Sequence, residues 1–176
     1  MGAATLNAKT VSRYVVSARE RNVPDDVLEA ARKCLVDWCG VALGARAEEA
    51  QLATRRAVLA WGSQGGARVL LGGTAAPGPA ALINGTMAHC LDFDDTHVGS
   101  IAHLSGPIWA TVLALGTHQG ADEKLMLRAF ITGFETGARL GGEGMGDALN
   151  RRGWHSNRRV RLPGCCCGCL RDAWIR

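Results

Sequence analysis

The stretch NGTMAHCLDFDDTHVGSIAHLSG, at residues 84–106, lies between segments that are mostly apolar and helix-forming. It holds three carboxylates and three of the chain's five histidines: Asp92, Asp94, Asp95, His89, His97 and His103. Carboxylates this close repel one another when ionised, unless histidines, cations or helix N-termini offset their charge. Such crowding is typical either of a functional site or of a solvated loop.

The segments on either side carry apolar residues at helical spacing. This pattern predicts helices at about residues 5–21, 24–43, 48–61, 80–91, 103–116 and 122–140. The second half of the helix at 24–43 is apolar on nearly every side, which predicts a core helix. Only the ARVLL segment at residues 67–71 favours a brief strand. We therefore predict an all-α fold, a helical array with one core in residues 1–156.

The charged residues divide unevenly along the chain. Residues 1–150 carry 13 basic and 15 acidic side chains, whereas residues 151–176 carry seven arginines and one aspartate. A nucleic-acid-binding protein would spread basic and aromatic side chains over a folded face, so we expect no nucleic-acid partner. No uncharged apolar run has membrane-spanning length, and the first residues do not resemble a signal peptide. We therefore expect no membrane association and a cytoplasmic protein, with Cys34, Cys39 and Cys90 reduced.

The segment NRRVRLPGCCCGCLRDAWIR, at residues 157–176, differs in composition from the rest of the chain. It could be a disordered basic tail or a thiolate metal site, although adjacent cysteines give poor ligand spacing. A third interpretation is that the segment is read out of frame. Consecutive cysteine codons encode alanine when they are read one base later. With a suitable choice of codons for the other residues, the shifted frame gives GWHSTAVFGSL followed by several alanines, which is an ordinary start of a helix. We expect one extra base near Ser156 or Asn157, and therefore a truncated protein.

On composition alone, the acidic stretch supports a solvated loop, a metal site or an acid/base site. In the metal alternative, His89 and the DFDDTH carboxylates supply mixed nitrogen and oxygen ligands. The DFDD sequence also resembles the magnesium site of isoprenoid synthases, but the second metal-binding motif of those enzymes is not visible. His118, in GTHQG, is expected to be structural.

In the acid/base alternative, His103 and His155 are the proton carriers, since imidazole titrates near neutral pH. Asp92 or Asp95 would then orient one imidazole and favour its charged form. Hydroxyl groups and main-chain N–H groups would hold substrate oxygens, and the candidates are Thr96 and Ser105.

The order of the motifs resembles the MmgE/PrpD family, which includes 2-methylcitrate dehydratase and cis-aconitate decarboxylase. NGTMAHCLDFDDTH is followed by HLSGP and, about fifty residues later, by GWH. RNVPDDVLEAARKCLVDWCGVALGA is similar to the family's early helix pair, and FITGFETGARLG to the helix before GWH. The resemblance covers about residues 5–156, and the restored GWHSTAVFGSL is family-like too. HLSG replaces the commoner HPSG, and the segment between Thr96 and His103 is one residue longer than in the decarboxylase pattern.

The resemblance implies a large helical domain with a smaller α+β lid, assembled as a homodimer. It implies hydro-lyase activity of the 2-methylcitrate dehydratase type on a di- or tricarboxylate, with no metal, iron–sulfur cluster or other cofactor. The lid and a later carboxylate-binding lysine are not found in this sequence, so we expect only the N-terminal part and little catalysis by this chain alone. The alternatives are a family decarboxylase, epimerase or isomerase, or a non-enzymatic helical dimerisation module.

The family's catalytic residues fall on Asp92, Thr96, His103 and His155. Removing a proton next to a carboxylate creates an aci-carboxylate, whose extra negative charge cationic histidines and N–H donors stabilise. We expect His103 or His155 to transfer protons, Asp92 to orient an imidazole, and Thr96 to donate a hydrogen bond to the substrate.

Overall fold

A computed structural model describes residues 8–18, 20–142 and 151 of the 176-residue chain. Over these residues the protein is predominantly helical, which confirms the all-α prediction. The six helices are α1 (Ala8–Ser17), α2 (Asp25–Gly44), α3 (Glu49–Ala60), α4 (Pro77–His89), α5 (Ser105–Gln119) and α6 (Glu123–Gly142). A short 3-10 turn, Ala45–Ala47, joins α2 to α3. Residues 157–176, assigned to an out-of-frame or disordered tail, lie outside the described residues.

Helices α4 and α5 form the centre of the fold and pack closely along their length. Their large buried side chains include Ile83, Met87, Ile108 and Trp109, each at most 1 % exposed. A Cβ on Gly85 would lie 3.5 Å from the Ala110 Cβ, so small residues allow the two helices to approach. Helices α2, α3 and α6 pack around this pair and complete one continuous core.

The helix boundaries follow from local sequence. Pro24 precedes α2, and the acidic side chains of Asp25 and Asp26 in its first turn complement the helix dipole. At the start of α6, the Leu125 N–H donates a 2.7 Å hydrogen bond to Asp122 Oδ1, so Asp122 caps this helix. Gly120, at φ 69°, ends α5 in the left-handed conformation. None of the described helices is both long and apolar enough to cross a bilayer.

A two-stranded hairpin connects α3 to α4. Strand β1 (Ala67–Arg68) pairs antiparallel with β2 (Thr74–Ala75), with Ala67 opposite Ala75. The sequence predicted the first strand but not the second. Buried Asn84 of α4 fixes the hairpin, because it accepts a hydrogen bond from the Leu70 N–H and donates one to the Arg68 carbonyl.

Helix α2 is buried on one side only. Ala31, Trp38 and Ala42 face the core, whereas Val36 is 73 % exposed and Leu43 is 47 % exposed. The described elements therefore cover only one face of α2, which the sequence predicted to be a core helix. The apolar residues on its other face leave hydrophobic surface in contact with solvent.

Candidate functional site

The acidic stretch forms a compact turn that runs from the end of α4 to the start of α5. Asp92 has φ 56°, and its N–H donates to the His89 carbonyl at 2.9 Å, so the chain reverses just after α4. Farther along, the His97 N–H donates to the Ala102 carbonyl at 2.9 Å and closes the turn. These two reversals bring the end of α4, the DFDD carboxylates and His103 together.

The side chain of Asp94 is the buried centre of this cluster and is 3 % exposed. Its two carboxylate oxygens each lie 3.0 Å from His89 Nδ1. Its Oδ1 also lies 3.5 Å from His103 Nδ1, and the two imidazole rings are 5.3 Å apart between centroids. Asp94 therefore contacts both imidazoles, one from α4 and one from the residues just before α5.

The hydrogen bonding of His103 fixes the tautomer of its neutral imidazole. Its Nδ1 lies 3.2 Å from the main-chain carbonyl oxygen of Asp94, and a carbonyl can only accept a hydrogen bond. Nδ1 therefore carries the proton, and Nε2, which lies 3.7 Å from Asp92 Oδ1, is the unprotonated nitrogen. Thr96 Oγ1, at 3.5 Å, is a second acceptor beside the Nδ1–H.

Asp92 lies on the open side of the same imidazole. Its side chain is 78 % exposed, and its Oδ1 is 3.7 Å from His103 Nε2, which is longer than a hydrogen bond. The structure thus brings together Asp92, Thr96 and His103, three of the four residues selected from the sequence. However, the carboxylate buried against the imidazoles is Asp94, whereas the sequence analysis gave the orienting role to Asp92. The fourth predicted residue, His155, lies outside the described residues.

Asp95 stabilises the start of α5. Among the described residues, no imidazole is a hydrogen-bond partner of its carboxylate. Its Oδ1 accepts the Ser105 N–H at 3.0 Å, and its Oδ2 accepts the Ser105 hydroxyl at 2.8 Å. Burial raises the pKa of the Asp95 carboxyl above its ordinary value, although the Ser105 hydrogen bonds act in the opposite direction. The geometry therefore does not favour the alternatives in which Asp95 orients a histidine or Ser105 holds the substrate.

The other two described histidines have structural contacts. His97 Nδ1 lies 2.9 Å from Ser100 Oγ, and the ring packs edge-on against Phe134. His118 Nδ1 accepts the Gly66 N–H at 3.2 Å and so ties α5 to the loop before β1. The structural role predicted for His118 is confirmed.

A cavity of about 370 Å³ opens between α4 and α5 beside the cluster. Its polar lining comes from Thr86, His89, Asp94, His103 and Thr111, and the remaining lining residues are small or apolar. Among the residues that the structure describes, the cavity lining contains no lysine or arginine, so it offers histidines and one carboxylate but no permanent cation. It can exchange protons with a bound molecule more readily than it can neutralise a polyanion.

One group of described residues has the donor atoms to hold a metal ion. Four ligand atoms, one from each of His89, Asp92, Asp94 and His103, lie within 4.8 Å of one another. The sequence led to no assigned metal, and His89 was named only in the metal alternative, as a nitrogen ligand beside the DFDDTH carboxylates. Neither His89 nor Asp94 was selected as a site residue, because the sequence gives no sign that the turn brings the DFDD segment back against the end of α4.

Comparison with known proteins gives consistent matches. The sequence profile of the MmgE/PrpD N-terminal domain matches residues 9–169. A cis-aconitate decarboxylase-like protein, oryM, of Aspergillus oryzae is 29% identical over 154 residues, covering 81% of this chain and 31% of that protein. Cis-aconitate decarboxylase of Aspergillus terreus is 29% identical over 144 residues, covering 76% of this chain and 29% of that protein. The chain thus spans about a third of the length of these relatives.

Proposed function

Since the chain belongs to the MmgE/PrpD family, we propose that it contributes a proton-transfer site for a di- or tricarboxylate, with hydro-lyase chemistry of the 2-methylcitrate dehydratase type. The observation that carries this proposal is the fixed imidazole of His103 beside an open cavity. Its Nδ1–H is held by the Asp94 carbonyl, and its Nε2 faces outward near Asp92. A base oriented in this way needs no rearrangement before it accepts a proton.

In a dehydration, His103 Nε2 takes a proton from the carbon next to a substrate carboxylate. The electron pair of that C–H bond moves into the carboxylate and forms the aci-carboxylate. A second acid protonates the leaving hydroxyl group, which departs as water while the double bond forms. His155, the other histidine selected from the sequence, is one candidate for this acid, and His89, which lines the same cavity, is another.

The residues around His103 have separate roles in this scheme. Asp94 orients the imidazoles, since it contacts both and is almost completely buried. Asp92 stabilises the imidazolium that forms after proton uptake, because its carboxylate lies 3.7 Å from Nε2 on the solvent side. Thr96 is exposed next to the ring and can donate its hydroxyl proton to a substrate oxygen.

The same cavity supports the proposal that this chain alone turns over little substrate. A tricarboxylate loses strong hydration on entering a site, and cationic or N–H groups must replace it. Since none of the described residues that line the cavity is a lysine or arginine, a cation from elsewhere would have to bind the substrate carboxylates. We expect that group to belong to a part of the intact enzyme that this cavity does not contain.

The out-of-frame interpretation of residues 157–176 is kept as part of this proposal. The family match extends over residues 157–169, so the match by itself does not separate the two reading frames. Sequencing the DNA across Ser156 and several hundred bases beyond it is the direct test. A family-like continuation in another frame supports the frameshift, and a related gene encoding the same CCCGC segment would contradict it.

The enzymatic test compares this chain with a version whose reading frame is restored. Dehydration of 2-methylcitrate is measured for both, and for His103→Asn, whose amide keeps a donor near the Nδ1 position. We expect activity only after restoration, and a loss of about 10²- to 10⁴-fold in the variant. His118→Asn keeps an acceptor for the Gly66 N–H and serves as the control. An active restored protein that is unaffected by His103→Asn would contradict the role of His103.

Decarboxylation is the second candidate reaction, because both relatives compared above are named for cis-aconitate decarboxylase activity. Here the bond to a carboxylate carbon breaks, CO₂ leaves, and an acid protonates the resulting carbanion. CO₂ release from cis-aconitate by the restored protein would identify this reaction, whereas water loss from 2-methylcitrate would identify the first. Activity with neither substrate would favour the remaining alternatives, a family epimerase or isomerase, or a non-enzymatic helical dimerisation module.

A further inference from the structure

We propose that His89, Asp92, Asp94 and His103 form a binding site for a divalent transition-metal ion of the zinc class, and that the bound ion inhibits proton transfer. Binding depends only on the geometry of these four side chains. The inhibitory consequence rests on the proposed function, since the ion would occupy the atoms that we assign to proton transfer. Neither the sequence patterns nor the family resemblance assigned a metal to this chain.

The composition of the donor set selects the class of ion. Two imidazole nitrogens and two carboxylate oxygens lie within 4.8 Å of one another. Imidazole favours zinc, iron, nickel and copper, whereas magnesium and calcium prefer ligands that are all oxygen. Four donors of this kind match the tetrahedral coordination that zinc adopts in proteins. Two ionised carboxylates with two neutral imidazoles also balance the charge of a divalent cation.

The orientation of His103 is a separate observation that points to a cation. Because its Nδ1–H is held by the Asp94 carbonyl, the neutral imidazole presents an Nε2 lone pair to Asp92 Oδ1. These two atoms are both acceptors and lie 3.7 Å apart. In a zinc site with bonds of about 2.0–2.1 Å, neighbouring ligand atoms are roughly 3.4 Å apart. An intervening cation would therefore turn a repulsive pair of lone pairs into two coordinate bonds.

The surroundings of the ligands match those of known metal sites. A metal-bound histidine usually donates its other ring N–H to a carbonyl or carboxylate, and His103 donates to the Asp94 carbonyl. Asp94 is held in place by burial and by its contact with His89. Asp92 is 78 % exposed, so its carboxylate can move toward the other donor atoms, which lie within 4.8 Å of one another.

The cysteines at residues 165–169 could bind the same ions, so the test removes them. In the full chain, Cys165, Cys166, Cys167 and Cys169 are each replaced by serine, and Zn²⁺ binding is measured by isothermal titration calorimetry. Co²⁺ is then used as a spectroscopic probe. We expect one site per chain, with the visible absorption of tetrahedral Co²⁺ and without the thiolate-to-metal bands that cysteine ligands produce.

Single substitutions identify the ligands. Asp94→Asn and His103→Asn should each weaken Zn²⁺ binding by about tenfold or more. Because Asp94 is buried and His103 is only 20 % exposed, Asp92→Asn provides a variant at an exposed position, and it should weaken binding without changing the far-UV circular dichroism. His118→Asn is the matched control and should bind Zn²⁺ like the parent. Zn²⁺ binding that all three site variants retain, or that Mg²⁺ matches in affinity, would overturn the proposal.

The inhibitory consequence is tested separately in the frame-restored protein. Zn²⁺ should reduce turnover, and EDTA should restore it. Calorimetric binding without any loss of turnover would overturn the inhibitory part of the proposal. A restored protein with no activity would count against the proposed function, whereas the calorimetric result on the chain itself would stand independently.

Discussion

At the scale of single residues, Gly106 packs directly against the Asp94 carboxylate. A Cβ added to Gly106 would lie 2.9 Å from Asp94 Oδ2. Because Asp94 is buried and contacts His89, its carboxylate cannot move away without losing that contact. The absence of a side chain at Gly106 therefore allows the carboxylate to reach the imidazoles.

We predict that Gly106→Ala lowers the free energy of unfolding by about 1–3 kcal/mol, as overpacking of a buried site does. Urea denaturation followed by circular dichroism measures this change. Gly40→Ala is the control, because Gly40 is an exposed helical residue with nothing within 4 Å of its added Cβ. That control should be neutral or stabilising by up to about 1 kcal/mol. Equal destabilisation by both substitutions would contradict the proposed clash.

The carboxyl of Asp95 gives a pH-dependent prediction. Burial raises its pKa in the folded protein above the ordinary value of 3.8. The folding stability that the Asp95 carboxyl contributes is therefore fully present below pH 3.8, and it is lost as pH rises through the pKa of the folded state. Asp95→Asn keeps an acceptor for the Ser105 N–H but has no charge to bury. We predict that its stability relative to the parent increases with pH from about 3 to 7.

Urea denaturation at a series of pH values measures this difference directly. Asp95→Ala provides the comparison, because it also removes the acceptor for the Ser105 N–H at the start of α5. It should cost about 1 kcal/mol where the carboxyl is protonated, as the loss of a helix cap does. A difference between Asp95→Asn and the parent that stays constant with pH would exclude burial as the dominant effect.

At the scale of helices, Trp38 connects α2 to the beginning of α5. Its side chain is 1 % exposed, and its Nε1–H donates a 2.9 Å hydrogen bond to the Gly106 carbonyl. Gly106 is also the residue against which Asp94 packs, so the connection reaches the candidate site. The position of α2 therefore influences where the turn between α4 and α5 (residues 90–104, the DFDD turn) meets α5.

We predict that Trp38→Phe destabilises the protein by about 1–3 kcal/mol, through the lost hydrogen bond and the smaller ring. The change in the free energy of unfolding is measured by urea denaturation. Trp61→Phe is the control, since Trp61 is 65 % exposed and its substitution should change stability by less than about 0.5 kcal/mol. A Trp38→Phe variant as stable as that control would argue against this connection.

The helices could be predicted because each apolar stripe repeats with the helical period within a single segment. Pro24 and Asp122 also mark helix starts by local chemistry that no distant residue alters. Strand β2 was missed because Thr74–Ala75 lies in the segment GGTAAPGPAA, which lacks the apolar run of ARVLL. Asn84, which the sequence places on a different element, holds the β1 side of the hairpin through Arg68 and Leu70.

At the scale of the whole molecule, large apolar side chains remain exposed near the candidate site and on α2. They are Phe93 at 74 %, Val98 at 83 %, Ile101 at 57 %, Val36 at 73 % and Leu43 at 47 %. Exposed apolar surface of this kind favours association between molecules. The homodimer implied by the family resemblance would be one form of such association.

We predict that this chain self-associates in a concentration-dependent way, which light scattering coupled to size-exclusion chromatography measures. Replacing Phe93, Val98 and Ile101 with serine should reduce the association, because all three side chains are exposed on the DFDD turn. Replacing only Trp61, which is also exposed, shows whether the loss of any exposed apolar side chain reduces the association equally. A parent chain that stays monomeric at all concentrations would contradict this prediction.

The sequence by itself determined the helical fold, the approximate helix boundaries and the stretch that carries the chemistry. These features depend on periodicity, on capping residues and on the clustering of ionisable groups, all of which are local in the chain. It also selected Asp92, Thr96 and His103, which the structure places side by side. The roles of these residues remain proposals.

Only the tertiary structure decided which carboxylate contacts the histidines. Asp92, Asp94 and Asp95 have nearly the same sequence context, but their environments differ because the chain reverses at Asp92 and α5 begins at Ser105. Asp92 faces solvent, Asp94 is buried between His89 and His103, and Asp95 binds the start of α5. Burial and hydrogen-bond partners result from how distant segments pack, and no local pattern specifies them.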